Sequence, residues 1–391
     1  MEGRKTLKVL NQGKVLGLEF YGEELERIKE AVRKHFTVED VFLEAGVLTF
    51  TVSETEIKER FKNLHRELYP MRFVPTAKLE NGKVKIRVFR YREVTLSVMK
   101  IKILPIILFA ATIGTVSVDG FLRVTSPVYK IIYSMIFGRV SFIDQLIEGV
   151  LFTVSLMAII GIHELGHKLS AKINGIESSP PYFIPGIPGI PFMLPTFGAI
   201  IFQKSPIVNR DDMFDIGFSG PIAGFLVSIG VAILSFFRGT WVSMEEFRAV
   251  IEQAQKAGGV PLPSPLLFYL IRPLFGHPDK LPLTSPALSF AAWLGLLVTA
   301  LNLFPVWQLD GGRIFRSILS PRQHRIASYI SIAVLAFTGY FFFALLLLLL
   351  MPRVPDIPPL DQVSPLSRGR KLMFIAVFAM LILSFVPMLP F

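Results

Sequence analysis

The 391-residue sequence predicts a polytopic α-helical membrane protein: about six spans and a re-entrant Pro-rich loop, preceded by a small N-terminal soluble α+β domain. Three observations carry this reading. Hydrophobic residues make up 52% of the chain and charged residues only 18%, where soluble domains carry roughly a quarter charged. Beyond residue 102 the apolar residues fall in runs of membrane length, about 20 residues each. Residues 1–102 differ from the rest: they hold 21 of the 41 Lys and Arg and 15 of the 30 Asp and Glu. Disorder, a coiled coil and a fibre are excluded by composition. The net charge of +11 is explained by basic residues beside membrane spans, so no nucleic-acid partner is expected. With no Cys in the chain, disulfides, thiol catalysis and Cys-based metal sites are excluded.

The expected division is residues 1–100 as a cytoplasmic α+β domain and 101–391 as a transmembrane domain with its core at 145–320. In the first, Leu25, Ile28, Val32 and Phe36 recur at helical spacing. Ser53 with Glu56 reads as a capping box opening a second helix that carries Ile57, Phe61, Leu64 and Leu68. Val41 to Val52 reads as one strand between them. Phe73–Leu79 and Val84–Phe89 flank Asn81-Gly82, a hairpin turn signal. No apolar leader opens this domain, so it is expected to stay in the cytoplasm. His35 and His65 read as solvated helix positions, and His324, between Arg322 and Arg325, as a cytoplasmic flank.

Spans are expected at 103–119, 145–167, 212–237, 286–305, 326–351 and 372–389. A run at 127–138 is too short and reads as interfacial. From Ser178 to Gln203 no residue is charged, yet Pro180, Pro181, Pro185, Pro188, Pro191 and Pro195 lie there. A straight helix would lose about 3 kcal/mol at each internal proline. Irregular backbone at membrane depth survives only where protein or water satisfies it, hence a re-entrant loop or extended hairpin among helices. Residues 238–284, with a capping box at Ser243 and Glu246, and residues 353–371 read as extramembrane loops. Six spans put 353–371 opposite the N-terminal domain. Lys and Arg beside the spans number twelve on each side, so their count does not orient the chain; the charged first domain does.

His163-Glu164-Leu165-Gly166-His167 is an HExxH sequence at the end of the second span, after the uncharged stretch Val150 to Ile162. Histidines at i and i+4 share a helix face, so both imidazoles can bind one Zn²⁺. Glu164 can reach water at that metal as general base. Charged side chains at bilayer depth cost roughly 2.5–3.5 kcal/mol each and are functional by default. A third ligand is needed. Position 173, where another His could serve, is Ile173, and Glu177 is too close. Asp310 follows Pro305 and precedes Gly311-Gly312, which allow a tight turn carrying its carboxylate inward. Asp211, Asp212 and Asp215 compete with it.

HELGH near a span end, with LDGGR following Asn302-x-x-Pro305 far downstream, resembles the site-2 protease family of intramembrane zinc metalloproteases. Thr196-Phe197-Gly198-Ala199-Ile200 and Phe214 to Gly224 resemble that family's central segments. The spelling is most similar to the branch of archaeal members and chloroplast gravitropism-deficient proteins. The resemblance implies one Zn²⁺ per chain held by His163, His167 and Asp310, with Glu164 as catalytic base and Asn302 near substrate or oxyanion. It implies hydrolysis of peptide bonds in or near transmembrane segments of membrane-protein substrates, within the lipid bilayer of an archaeal plasma membrane, with a homo-oligomer left open. Gly217, Gly220 and Gly224 read as packing residues. The alternatives are a transmembrane metal transporter, which would need polar residues continuing across the membrane, and a non-proteolytic membrane scaffold.

Overall fold

The computed structural model describes residues 22–91, 100–189, 195–277, 279–351 and 356–388. Two compact units emerge: one of residues 1–95, 204–214 and 356–370, the other of 96–203, 215–355 and 371–391.

In the first unit, α1 (Gly22–His35) and α2 (Lys58–Leu68) accompany a four-stranded antiparallel sheet, β1 (Val38–Glu44), β2 (Val47–Val52), β3 (Phe73–Glu80) and β4 (Lys83–Arg90), in the order β1-β2-β4-β3. The stretch read as one strand is a hairpin. Ala45 and Gly46 both have positive φ, 50° and 81°, so the chain reverses there as a two-residue hairpin turn requires. Asn81 and Gly82 do the same, at 51° and 76°, between β3 and β4. Register places Leu48 opposite Val88, Phe50 opposite Ile86 and Val52 opposite Val84, so one pleat face is wholly apolar. It buries Leu25, Ile28 and Val32 of α1 and Phe61, Leu64 and Leu68 of α2.

Two expectations fail here. Ser53 does not cap a helix: α2 starts at Lys58, after Ile57, with no side-chain cap, and Glu54 instead accepts from Thr37 N–H at 2.9 Å. His65 is not solvated but 7% exposed, stacked on Tyr69. It lies one turn after Phe61, on the face α2 turns to the core.

The first unit also takes in two segments remote in sequence. Val208 and Leu360 enter its core. Ala77 N–H donates to Leu360 O at 2.8 Å, Gln362 N–H to Ala77 O at 3.0 Å, and Asp361 N–H to Val208 O at 2.8 Å. Residues 356–370 therefore pack with the N-terminal domain. Their expected place on the opposite side is overturned.

In the second unit, α3 (Leu104–Val124), α5 (Phe142–Ile173), α6 (Arg210–Phe237, its first turn belonging to the first unit) and α9 (Pro286–Leu303) are long and apolar enough to cross a membrane. Helix α5 contacts both α3 and α9. Its start is fixed by a capping box between Ser141 and Asp144. The run at 127–138 forms α4 (Pro127–Phe137), whose Ile131, Ile132 and Ile136 pack on Val242, Val250 and Leu283 of the segment 238–284. That segment holds β7 (Thr240–Val242), α7 (Met244–Lys256, capped by the expected Ser243–Glu246 box), α8 (Leu266–Ile271) and β8 (Leu281–Leu283). Fully buried Glu148 of α5 accepts from Tyr129 OH at 2.9 Å, Ser285 Oγ at 3.0 Å and Arg238 at 2.9 Å. One carboxylate thus ties α4, α5, the end of α6 and the start of α9.

The Pro-rich stretch is an antiparallel hairpin, β5 (Tyr182–Pro185) with β6 (Thr196–Ile200); residues 190–194, including Pro191, lie outside the described residues. It runs along α3. Thr115 Oγ1 donates to Pro195 O at 3.0 Å. Gly189 N–H donates to Asp119 at 3.0 Å, and Phe109 and Phe183 rings meet at 5.0 Å.

After α10 (Asp310–Arg316), the run expected as one span at 326–351 is two helices, α11 (Pro321–Phe337) and α12 (Phe341–Leu350). The break falls at Gly339, whose φ of +93° is outside helical space. The last helix, α13, spans Arg368–Ser384; the end of the expected span at 389 lies outside the described residues. Met388 N–H donates to Thr338 O, so the chain beyond α13 meets the α11–α12 bend.

His65 generates a pH prediction. Burial pushes its imidazole down to about 4, from about 6.5 when exposed. Between these values the unfolded chain binds a proton that the folded domain refuses. Its stabilising effect is complete above about pH 6.5 and is lost as pH falls toward 4, by on the order of 2–3 kcal/mol. Hydrogen-exchange protection of β2 and β4 amides in the full-length protein should fall across that interval, and His65→Leu should flatten the fall.

Candidate active site

His163, Glu164 and His167 lie in the last third of α5, and Asp310 is the first residue of α10. The helical spacing sets the two imidazoles one turn apart, with Nε2 atoms 3.1 Å from each other. Asp310 Oδ2 lies 3.2 Å from each of them. Three electron-rich atoms therefore form a nearly equilateral triangle. Ligand atoms about 2.0–2.2 Å from one ion in tetrahedral arrangement stand roughly 3.3–3.5 Å apart, so this donor set fits a small divalent cation and leaves a fourth position open. His163 and Glu164 are buried; His167 and Asp310 are partly so.

The orientation of His167 is fixed from α6. Its Nδ1–H donates to Ile216 O at 2.7 Å, which leaves the Nε2 lone pair on the side of the triangle. Helix α6 can come this close because of its small residues. A Cβ on Gly220 would sit 2.1 Å from His167 Nε2, one on Gly224 3.1 Å from His163 Nδ1, and one on Gly217 2.9 Å from Asp310 O. The expectation that these glycines pack around the site agrees with this geometry. On the other side, the turn into α10 is equally crowded. A Cβ on Gly311 would meet Leu303 O, and one on Gly312 would meet Val306 O, each at 2.2 Å. The glycine pair after Asp310 folds the turn back on the end of α9, which brings the carboxylate to the imidazoles.

The competitors for the third ligand position are engaged elsewhere. Asp211 accepts from Lys58 at 3.1 Å, Arg370 at 3.0 Å and Ser367 N–H at 2.9 Å, and Asp212 pairs with Lys62 at 3.2 Å. Asp215 does not join the cluster: among the described residues, His163, His167 and Asp310 are the group of acids and histidines close enough to hold one ion. Asn302 stands on the last turn of α9, half-buried and outside the triangle.

Several features escaped sequence reasoning. The Ile216 carbonyl is backbone and has no residue signature. His324 is buried, 2% exposed, with its ring edge-on to Trp307, rather than lying on a solvated flank. Asp119, fully buried, holds Gly189 and pairs with Arg123 at 2.6 Å. Its signal was available, a lone acid in an apolar run, but ending the span at 119 put it at a boundary.

Comparison with known proteins agrees with this geometry. The model of peptidase family M50 matches residues 151–347, half of the chain. The chain is 27% identical over 261 residues to the probable zinc metalloprotease EGY2, chloroplastic, of Oryza sativa subsp. indica, covering 65% of this chain and 45% of that protein. It is 29% identical over 238 residues to the Arabidopsis thaliana EGY1 protein of the same description (59% and 42%), and 30% identical over 241 residues to the Oryza sativa subsp. japonica EGY1 protein (60% and 40%). The chain spans less than half the length of these relatives. No solved structure matches it. An HExxH helix, a distant aspartate brought to the same point and a family match enclosing both are one consistent result: the chain belongs to peptidase family M50, the site-2 protease family.

Proposed function

We propose that this protein is an intramembrane zinc metalloprotease that hydrolyses peptide bonds in or near the transmembrane segments of membrane-protein substrates. The observation that carries the reading is the donor triangle of His163, His167 and Asp310, with buried Glu164 beside it on a membrane-length helix. Relatives described as probable zinc metalloproteases support the metal assignment. His163 Nε2, His167 Nε2 and Asp310 Oδ2 are the atoms that would hold zinc, one ion per chain. Bound zinc supplies Lewis acidity toward the scissile carbonyl and the attacking water. Glu164 takes the proton of that water and delivers it to the leaving amine. The Ile216 carbonyl keeps His167 in its liganding tautomer. Asn302, the penultimate residue of α9, is assigned to hold substrate or the oxyanion.

A helix shields its own carbonyls, so the substrate must be locally extended to be cut. The β5–β6 hairpin is a two-stranded sheet with exposed Phe197 and Ile200 on β6, and we assign it the role of a re-entrant edge that receives the substrate as an added strand. Against the transporter reading, upstream of His163 the Thr153 hydroxyl is spent on Gly149 O of its own helix, and Glu148 is engaged by Tyr129, Arg238 and Ser285.

The first unit is the cytoplasmic domain, as its charge supports, and the membrane is an archaeal plasma membrane, as the motif spelling supports. Residues 356–370 pack with residues 1–95, so we assign them to the same side as the first unit, and four helices are long and apolar enough to cross the membrane.

Three outcomes test this function. Zinc-loaded Glu164→Gln should keep its metal and lose at least about 10²-fold in cleavage rate, whereas Asp310→Ala should lose zinc; metal analysis with a cleavage assay reads both, and an active Glu164→Gln would sink the mechanism. Gly220→Ala should lower the zinc-to-protein ratio by driving a methyl into His167. Replacing residues 185–191 with a Gly-Ser turn should impair cleavage while zinc stays bound, and the reverse order would end the strand-addition idea.

A further inference from the structure

The turn between α9 and α10 carries a polar side chain that the site described so far leaves unused. Gln308 stands two residues before Asp310. Its Oε1 and Nε2 are both buried, and neither has a hydrogen-bond partner. A buried carboxamide left unpaired bears its full desolvation cost, and native proteins rarely tolerate it without a use. The local backbone does not claim it. Val306 N–H donates to Phe304 O, Leu309 N–H to Val306 O and Gly312 N–H to Leu309 O, so the turn is closed on itself.

The distance to the site follows from the backbone. Leu309, between Gln308 and Asp310, is extended, with φ −99° and ψ 167°. One extended residue sets the Cα atoms on either side of it roughly 6–7 Å apart. Gln308 therefore stands within a side chain's reach of the Asp310 carboxylate, which touches both imidazoles.

We propose that Gln308 binds the substrate backbone, its amide pairing with one peptide unit beside the scissile bond. Nε2–H donates to a substrate carbonyl and Oε1 accepts from a substrate N–H. The chemistry suits the occupant. A carboxamide carries the same donor and acceptor as a peptide unit, so it recognises backbone whatever the side chain. A substrate segment unwound in apolar surroundings has freed N–H and C=O groups with no water to satisfy them. Gln308 offers both partners next to the reacting bond, and apolar substrate side chains offer no hydrogen bonds of their own to read. The inference rests on the proteolytic reading above.

The test compares zinc-loaded full-length protein, wild type and Gln308→Leu, in detergent micelles on a synthetic peptide with an apolar segment of about 20 residues. A second peptide set replaces single amides near the cleavage point by esters. Gln308→Leu should bind zinc as wild type does and melt at the same or a higher temperature, because its amide has no partner in the free protein. It should lose about tenfold or more in kcat/KM. One ester position should slow wild type and leave Gln308→Leu no slower than on the all-amide peptide. A kcat/KM within about twofold of wild type, an ester penalty that persists in the variant, or a loss accompanied by lower melting temperature and lost zinc would each overturn the proposal. Absence of cleavage by zinc-loaded wild type would overturn the protease reading, and this inference with it.

Discussion

Three lone-pair donors within 3.2 Å of one another are the constraint on which the rest of the structure turns. Two imidazoles and a carboxylate do not gather at this spacing in a low-dielectric interior for their mutual interactions alone. Their spacing suits the ligands of one small cation, and the scaffold brings them together by its own packing. Helix α5 sets the imidazoles by its 3.6-residue period. Helix α6 closes on them where it has no side chains, at Gly217, Gly220 and Gly224, and its Ile216 carbonyl orients one ring. The turn that ends α9 delivers the carboxylate, and it can fold so tightly only because two glycines follow Asp310. Close packing and ligand geometry are here the same requirement.

Apart from the site, the apolar unit uses buried carboxylates as ties. Glu148 is held by a tyrosine, a serine and an arginine from three other parts of the chain. Asp119 is held by Arg123, one turn on, and by the Gly189 N–H of the hairpin, and the Arg123 guanidinium in turn lies 4.4 Å from the centre of the Phe290 ring. A charge in such surroundings is tolerated only when paired, so each fixes the elements that carry its partners. Glu148 fixes a helix junction. Asp119, together with Thr115 and Phe109, fixes the hairpin along α3.

Much of this was legible in the residues. HExxH spacing states its own geometry, because i and i+4 on a helix meet wherever the helix goes. The runs expected at 103–119, 145–167, 212–237 and 286–305 fall on membrane-length helices, at 104–124, 142–173, 210–237 and 286–303, and Asn81-Gly82 made its turn, because these signals are local. The failures were also physical. Ala45-Gly46 reverses the chain without the usual turn spelling, so a hairpin read as one strand. Gly339 broke a run whose hydropathy is unbroken, since hydropathy averages over a residue that sets backbone direction. Residues 356–370 were misplaced because their partners, Ala77 and Val208, are far away in sequence and bind through backbone groups that carry no residue signature.

What the sequence by itself determined is the donor chemistry: with no cysteine, only His and carboxylate could build the site, and a helical period paired two of them. Local spacing left open which aspartate joins them; the resemblance pointed to Asp310, and the tertiary structure brings it to the imidazoles. Asp211 and Asp212 meet Lys58, Lys62 and Arg370, whereas Asp310 meets the imidazoles. The difference lies in contacts between residues some 150 positions apart, where local spacing carries no information and only the packing of helices and the closure of a glycine turn fix which charges come to face each other.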